Sequence, residues 1–226
     1  MRIKPSLLFI PLFVFIISFG SCKREVIEFT EPDTGYFPLD SGTYADYEVT
    51  YVLYNDFERT VDTFVYYLRE TVGKTETDNL GNPYSRIERY TRDNRIITIS
   101  FPTHENKEWD GLVYIRKDTT VAIPGGTIDL YKDWSNFKII SSDKSEIIGG
   151  ISYDSVLTVL RADKINNIER RYSLEKYAKK IGLVMRRDSI LDTQCGGNIA
   201  TCINTPWALK AEKGFILNMK LIATNR

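Results

Sequence analysis

Residues 44–54, Tyr-Ala-Asp-Tyr-Glu-Val-Thr-Tyr-Val-Leu-Tyr, alternate in character. Ala45, Tyr47, Val49, Tyr51 and Leu53 fall on one side of an extended chain, with Asp46, Glu48 and Thr50 on the other. A period of two is the mark of a half-buried strand. The next segment is ambiguous by period alone, because Phe57, Val61, Phe64, Val65, Leu68 and Val72 fit a helical stripe. Its core, Thr-Val-Asp-Thr-Phe-Val-Tyr-Tyr-Leu, is rich in β-branched and aromatic residues, which are stiff at χ1 and suit a pleated strand. Composition therefore decides for a strand.

Turn signals punctuate the rest. Asp-Asn-Leu-Gly-Asn-Pro at 78–83 stops the chain, and Tyr84–Arg92 with Arg95–Phe101 reads as a hairpin around Asp93-Asn94. Leu112–Arg116 and Thr119–Ile123 pair in the same way around Lys117-Asp118. Gly125-Gly126, Gly149-Gly150 and Gly196-Gly197 read as turns that need positive φ. Val156–Arg161 and Ile168–Tyr177 form another hairpin, Ile181–Arg187 follows, and Gly214–Thr224 is the last strand. Short strands at regular spacing predict an all-β, mainly antiparallel fold: a curved open sheet or half-barrel, with a β-sandwich as the alternative.

The N-terminus is different in kind. Arg2 and Lys4 precede an apolar run, Leu7–Phe19, which ends at Gly20-Ser21-Cys22. The run is too short to cross a bilayer core, which takes roughly 20 helical residues. A charged start, a short apolar centre and small residues make a secretory signal peptide. Gly20-Ser21-Cys22 resembles a bacterial lipobox, in which the cysteine is acylated and becomes the first mature residue. The organisation expected is a signal peptide at 1–21, a lipidated tether at 22–35 and one β-rich domain at 36–226. The lipid attachment point is Cys22, and the location is the outer membrane, with its periplasmic and cell-surface faces both open.

Charge and cysteine content narrow the class. Without Arg2 and Lys4, 28 of the 30 basic side chains remain against 30 acidic ones, a net charge of −2. That balance argues against a general nucleic-acid binder, which needs a basic excess. Cys195 and Cys202 bracket Gly-Gly-Asn-Ile-Ala-Thr, and in an exported chain such a pair reads as a disulfide. A metal site is a poor alternative, since zinc takes four ligands and the one histidine, His104, is remote in sequence.

Three segments resemble a widespread group of uncharacterised Bacteroidota outer-membrane lipoproteins. They are Tyr36-Phe-Pro-Leu-Asp-Ser-Gly-Thr-Tyr-Ala-Asp-Tyr-Glu-Val49, Ser100-Phe-Pro-Thr-His-Glu-Asn-Lys-Glu-Trp-Asp-Gly111 and Glu175-Lys-Tyr-Ala-Lys-Lys-Ile-Gly-Leu-Val-Met-Arg-Arg-Asp188. Together they run across most of the chain after Cys22. The resemblance implies a curved antiparallel sheet similar to lipoprotein-carrier or lipocalin-like half-barrels. It transfers no active site.

No catalytic constellation emerges. His104-Glu105 lacks the second histidine at i+4 that a zinc protease helix needs, and no G-x-S-x-G elbow or phosphate loop is present. A carboxylate pair for glycoside hydrolysis stays open, because sequence spacing says nothing of separation in space. Arg170, Arg171, Lys176, Lys179, Lys180, Arg186 and Arg187 form a basic run, read as a solvated strand face, with anionic glycans or phosphorylated lipid as the functional alternative. Asp118-Thr119-Thr120, Asp154-Ser155-Val156 and Asp188-Ser189-Ile190 resemble short Bacteroidota O-glycosylation sites. The expectation is a non-catalytic binding module for a lipid, a glycan or an envelope partner, with no cofactor; the alternative is a structural or adhesion subunit of an envelope complex. Trp109, Trp134 and Trp207 are the candidate ligand contacts, against the competing expectation that they fill the core.

Overall fold

The structure is a computed structural model, and it describes residues 34–38, 40–77, 83–89, 103–197 and 199–226. The expected signal peptide, Cys22, nearly all of the tether, most of the 78–83 turn and the Arg95–Phe101 strand lie outside those residues.

Among the described residues the strands are β1 (Tyr44–Asn55), β2 (Thr60–Thr77), β3 (Pro83–Arg89), β4 (Glu108–Trp109), β5 (Thr120–Ile123), β6 (Gly126–Asp129), β7 (Phe137–Ile148), β8 (Ile151–Ile165), β9 (Glu169–Ala178), β10 (Gly182–Asp192) and β11 (Lys213–Thr224). Two short helices, α1 (Ile199–Ile203) and α2 (Trp207–Lys210), lie between β10 and β11. Nine strands make one open sheet in the order β3-β2-β1-β11-β10-β9-β8-β7-β4, with every pairing antiparallel; β5 and β6 pair separately. The protein is all-β, and among the described residues the sheet does not close into a barrel. The sandwich alternative fails because the second sheet is only a two-stranded hairpin.

The alternation read at 44–54 sets the register. Tyr47, Val49 and Tyr51 of β1 stand opposite Leu221, Met219 and Leu217 of β11 and opposite Leu68, Tyr66 and Phe64 of β2. Directly opposed residues share a face, so these side chains all point to one side. There Tyr47 and Val49 join Val184 and Ile190 of β10, Leu157 and Val159 of β8, and Phe137 and Ile139 of β7 in one buried cluster. Each such side chain contributes about 1.5–3 kcal/mol through burial. The lid on this cluster is the stretch before β7: Leu112, Ile123, Ile128, Tyr131 and Trp134 are buried in it. Gly214 shows how close the lid comes. A Cβ there would lie 3.0 Å from Ile128 Cδ1 and 2.0 Å from Ile190 O, and its φ is +116°.

Local chemistry explains the turns. Asn55 Oδ1 accepts from the N–H groups of Phe57 and Glu58 and so builds the β1–β2 loop. Ile148 faces Ile151 across Gly149-Gly150, both with positive φ (61° and 85°), the condition for a tight two-residue hairpin turn. Gly125, Gly126, Gly196 and Gly197 also have positive φ, as the sequence suggested.

Two expectations are corrected, and one strand has no counterpart among the sequence expectations. Leu112–Arg116 is not a strand: Asp110 Oδ1 accepts from Leu112 N and Leu112 O from Ile115 N, which bends the segment so that Leu112 drops into the core. The partner of β5 is therefore β6, across Pro124-Gly125. β7 carries no clear period in sequence, because Ser-Ser-Asp-Lys-Ser-Glu fills its middle. The register slips three times along β7, between Ile139 and Glu146, and Asp143 takes a positive φ of 53°. Finally, the basic run is not one solvated face. Arg171 is buried, donating from Nη1 to Leu191 O and pairing with Asp192, and Arg186 points to the core side.

Candidate functional site

A buried ion cluster lies under the centre of the core face. Glu175 of β9 faces Arg186 of β10, and Ser173 faces Asp188. Between Leu160 and Ala162 the β8–β9 register shifts and leaves Arg161 as the extra residue, and a bulge of this kind re-aims a side chain. Arg161 Nη1 donates to Glu175 Oε1 at 2.5 Å, and both side chains are at most 3% exposed. Tyr177 Oη donates to Glu175 Oε2 at 2.7 Å, Arg186 donates from Nε to Asp188 at 2.8 Å, and Ser173 Oγ donates to Asp188 at 2.6 Å. The Arg161 guanidinium also lies 5.4 Å and 5.0 Å from the ring centres of Trp134 and Phe137. Two cations and two carboxylates thus balance within one cluster.

The electrostatics of Asp188 are not those of a general acid. Burial alone pushes the Asp188 carboxyl up, but Arg186 and Arg161 more than offset it and hold it below the ordinary carboxylate range. Arg186 is likewise held charged: burial opposes the cation, and Asp188 and Glu175 outweigh that. A glycosidase acid needs a carboxyl kept protonated, which is the reverse of this. No group of three or more His, Cys, Asp or Glu with metal-binding geometry occurs among the described residues.

Beside the cluster, toward β2, the same sheet face is open. Phe64 and Tyr66 are 51% and 44% exposed although they share the face of Val49 and Tyr51. Tyr51 stacks on Phe215 with ring centres 5.3 Å apart, and Leu53, Leu68 and Leu217 are half-buried around them. Burial raises the Tyr51 phenol, with the Tyr66 phenol adding to it. Burial also raises Tyr66, and the nearby Arg186 charge partly offsets that. The result is a shelf of two phenylalanine and two tyrosine rings, one end of which reaches the partly exposed Arg186 of the cluster. Pattern in the sequence placed Tyr51 on the buried side. It gave no sign that the lid stops short of β2, because the lid's extent depends on contacts far apart in sequence.

The three tryptophans part company. Trp134 is core, 4% exposed and edge-on to Tyr131 at 5.1 Å, so it is withdrawn as a ligand contact. Trp109 on β4 is partly buried and packs edge-on to Phe137 at 5.9 Å. Trp207, on α2, lines a cleft of about 460 Å³ with Asn166, Asn167, Arg170, Thr205 and Lys210 among its walls. The cleft is shaped by the expected disulfide: Cys195 and Cys202 are bonded, with Cα atoms 5.3 Å apart. His104 is exposed in a turn, its ring beside Glu105 O. Of the three Asp-Ser/Thr motifs, the copy at Asp188-Ser189 is buried, whereas Asp118 and Thr120 are exposed. No helix among the described residues is long and apolar enough to cross a membrane.

Compared with family models, curated proteins and solved structures, the chain matches none.

Proposed function

We propose that this protein is an outer-membrane lipoprotein, acylated on Cys22, whose β domain binds a lipid or glycan without chemical turnover. The observation that carries the binding reading is the shelf of Tyr51, Phe64 and Tyr66, with Phe64 and Tyr66 about half exposed, on the sheet face that also carries the buried cluster. A polypeptide that buries its apolar faces to gain stability leaves large rings exposed side by side where something else covers them. Aromatic rings with hydroxyl tips suit ligands that are apolar along one face and polar at the edge, which describes both sugar rings and amphipathic lipids. The anchor rests on the short apolar run ending at Gly20-Ser21-Cys22. Two or three acyl chains would make attachment durable, each methylene contributing about 0.8 kcal/mol.

A second reading, a structural or adhesion subunit, draws on the opposite face of β2, where Val61, Val65 and Tyr67 are also exposed. One experiment separates the two. The purified full chain is incubated with immobilised envelope glycans, with lipid vesicles and with detergent-solubilised envelope proteins. Phe64→Ala and Tyr66→Ala should abolish glycan or vesicle binding, while Val65→Ser and Tyr67→Ser leave it unchanged. The converse pattern, with retention of an envelope protein, selects the second reading, and turnover of any probe overturns both. Cys22→Ala should remove the chain from the membrane fraction, and unchanged partition would reject the anchor.

A further inference from the structure

We infer that the Trp207 cleft is a binding site for an anionic sugar, one that carries a carboxylate or a phosphate. It does not depend on the aromatic shelf. Arg170 alternates with Arg171 along β9, and Arg171 lies on the face of Ser173 and Glu175. The cleft therefore opens from the side of the sheet turned away from the shelf.

The cleft is an open groove between two walls. One wall is the β8–β9 turn, where Asn166 Oδ1 accepts from the N–H groups of Ile168 and Glu169. The other is the lobe between β10 and β11, closed on itself by Cys195–Cys202. Lys210 Nζ ties the two together, donating to Asn167 O at 3.4 Å and to Cys202 O at 3.2 Å. Its volume of about 460 Å³ lies within the range of roughly 300–1,000 Å³ typical of small-ligand sites.

Charge identifies the occupant. Arg170 and Lys210 both line the cleft, and neither forms an ion pair among the described residues. The acids near them in sequence are engaged elsewhere: Glu169 pairs with Lys132, and Glu212 accepts from the N–H groups of Gln194 and Gly196. Arg170 Nε is buried with no acceptor, and its guanidinium lies over the Tyr172 ring at 5.6 Å. Elsewhere the chain neutralises its buried arginines with carboxylates, as at Arg161 and Arg186. Arg170 and Lys210, both only partly buried, have no carboxylate paired with them among the described residues, and an anionic ligand would complete the pairing.

The remaining wall groups make that ligand a sugar. Trp207 lines the cleft, and Lys210 Nζ sits over one face of its indole, 4.5 Å from the ring centre. An indole presents a flat apolar face to the C–H face of a pyranose. Asn167 also lines the cleft, and its side-chain amide is a group that hydrogen-bonds hydroxyls.

The test uses the purified full chain and calorimetric titration with three probes: a glucuronate-containing oligosaccharide, a glucose phosphate and the neutral glucose oligosaccharide. At least one anionic probe should bind, and the neutral one should bind about tenfold more weakly or not at all, as loss of a charge-assisted hydrogen bond implies. Which anionic probe binds more tightly identifies carboxylate or phosphate as the recognised group. Arg170→Gln should weaken that binding about tenfold and flatten its salt dependence. Because Lys210→Gln could loosen the lobe, Trp207→Ala is the second variant, and it should lose affinity for both sugar classes at an unchanged melting temperature. Tyr66→Ala should leave the cleft titration intact, so that failure of the shelf and failure of the cleft are told apart. Equal affinity for neutral and anionic probes, no binding of any probe, or unaltered binding by Arg170→Gln each overturns the inference.

Discussion

Glu175 offers the sharpest test of how the core is held together. Glu175→Gln keeps the volume and removes one charge from a cluster that now balances. The side chain is about as buried as Arg161, which donates to it at 2.5 Å, and Tyr177 Oη donates to its other oxygen at 2.7 Å. After the change Arg161 and Arg186 share only Asp188, so one buried cation is uncompensated. Removing one partner of a buried pair costs about 3–5 kcal/mol, mostly because the other charge is stranded. For a chain of this size each kcal/mol moves the melting temperature by about 2–4 °C, so a fall of about 6–20 °C is expected. Urea denaturation followed by circular dichroism measures the loss as a lower midpoint at constant slope. Arg161→Met combined with Glu175→Leu removes both charges together and should cost less than the two single changes added, by about 0.5–3 kcal/mol. A Glu175→Gln protein within about 1 kcal/mol of the parent, or strict additivity in the cycle, would refute the account of the cluster as an interdependent unit.

Acid should expose the same cluster. Asp188 is held below its ordinary value of 3.8 in the folded chain, so the unfolded chain binds the proton first and stability falls as pH drops through 3.8 toward the folded value. Asp188→Asn should be clearly destabilising at about pH 7, with the gap to the parent narrowing at about pH 2.5; a gap that stays constant contradicts this. Reduction of Cys195–Cys202 should cost about 2.5 kcal/mol by the chain-entropy relation for a loop this short, read as a lower urea midpoint with dithiothreitol; two alkylatable thiols in non-reduced protein would contradict the bond. Gly214→Ala would set a Cβ 2.0 Å from Ile190 O at a φ of +116°, so the β10–β11 seam must shift and the protein should lose more than about 2 kcal/mol. A melting temperature equal to the parent's would mean that the lid sits less tightly than described.

The strands that alternate cleanly were legible. β1 showed its buried side in sequence, β9 and β11 could be placed to within a residue at each end, and of β8 and β10 only a part was visible. β7 could not, because its middle is a polar stretch in which three register slips absorb the broken alternation. Leu112–Arg116 misled for the opposite reason: five residues of strand-like composition were bent by one aspartate side chain. The candidate sites divide in the same way. Trp207 and the disulfide pair were visible as residue types. The ion cluster was hidden, since Arg161, Glu175, Arg186 and Asp188 look like ordinary polar positions until a bulge turns Arg161 inward. Arg170 and Arg171 are neighbours in sequence, yet one lines a cleft and the other is buried. Only strand register separates them.

The order of the strands also constrains how the chain can fold. β7 to β10 pair with their neighbours in sequence, and so do β1, β2 and β3. In the described sheet the strand ladders of these two blocks join where β1 meets β11, with Tyr47 opposite Leu221 and Thr224 Oγ1 donating to Tyr44 O. During synthesis or export, β1 emerges early and its partner late, so one flank of β1 stays unzipped until β11 arrives. Such non-local pairing slows folding, and a bare, ring-rich strand waiting for its partner is an aggregation hazard. Chains shortened to end before Lys213 should therefore be degraded by limited proteolysis across both blocks. Resistance of the β1–β2 hairpin in those chains would show that the N-terminal block needs no closing strand.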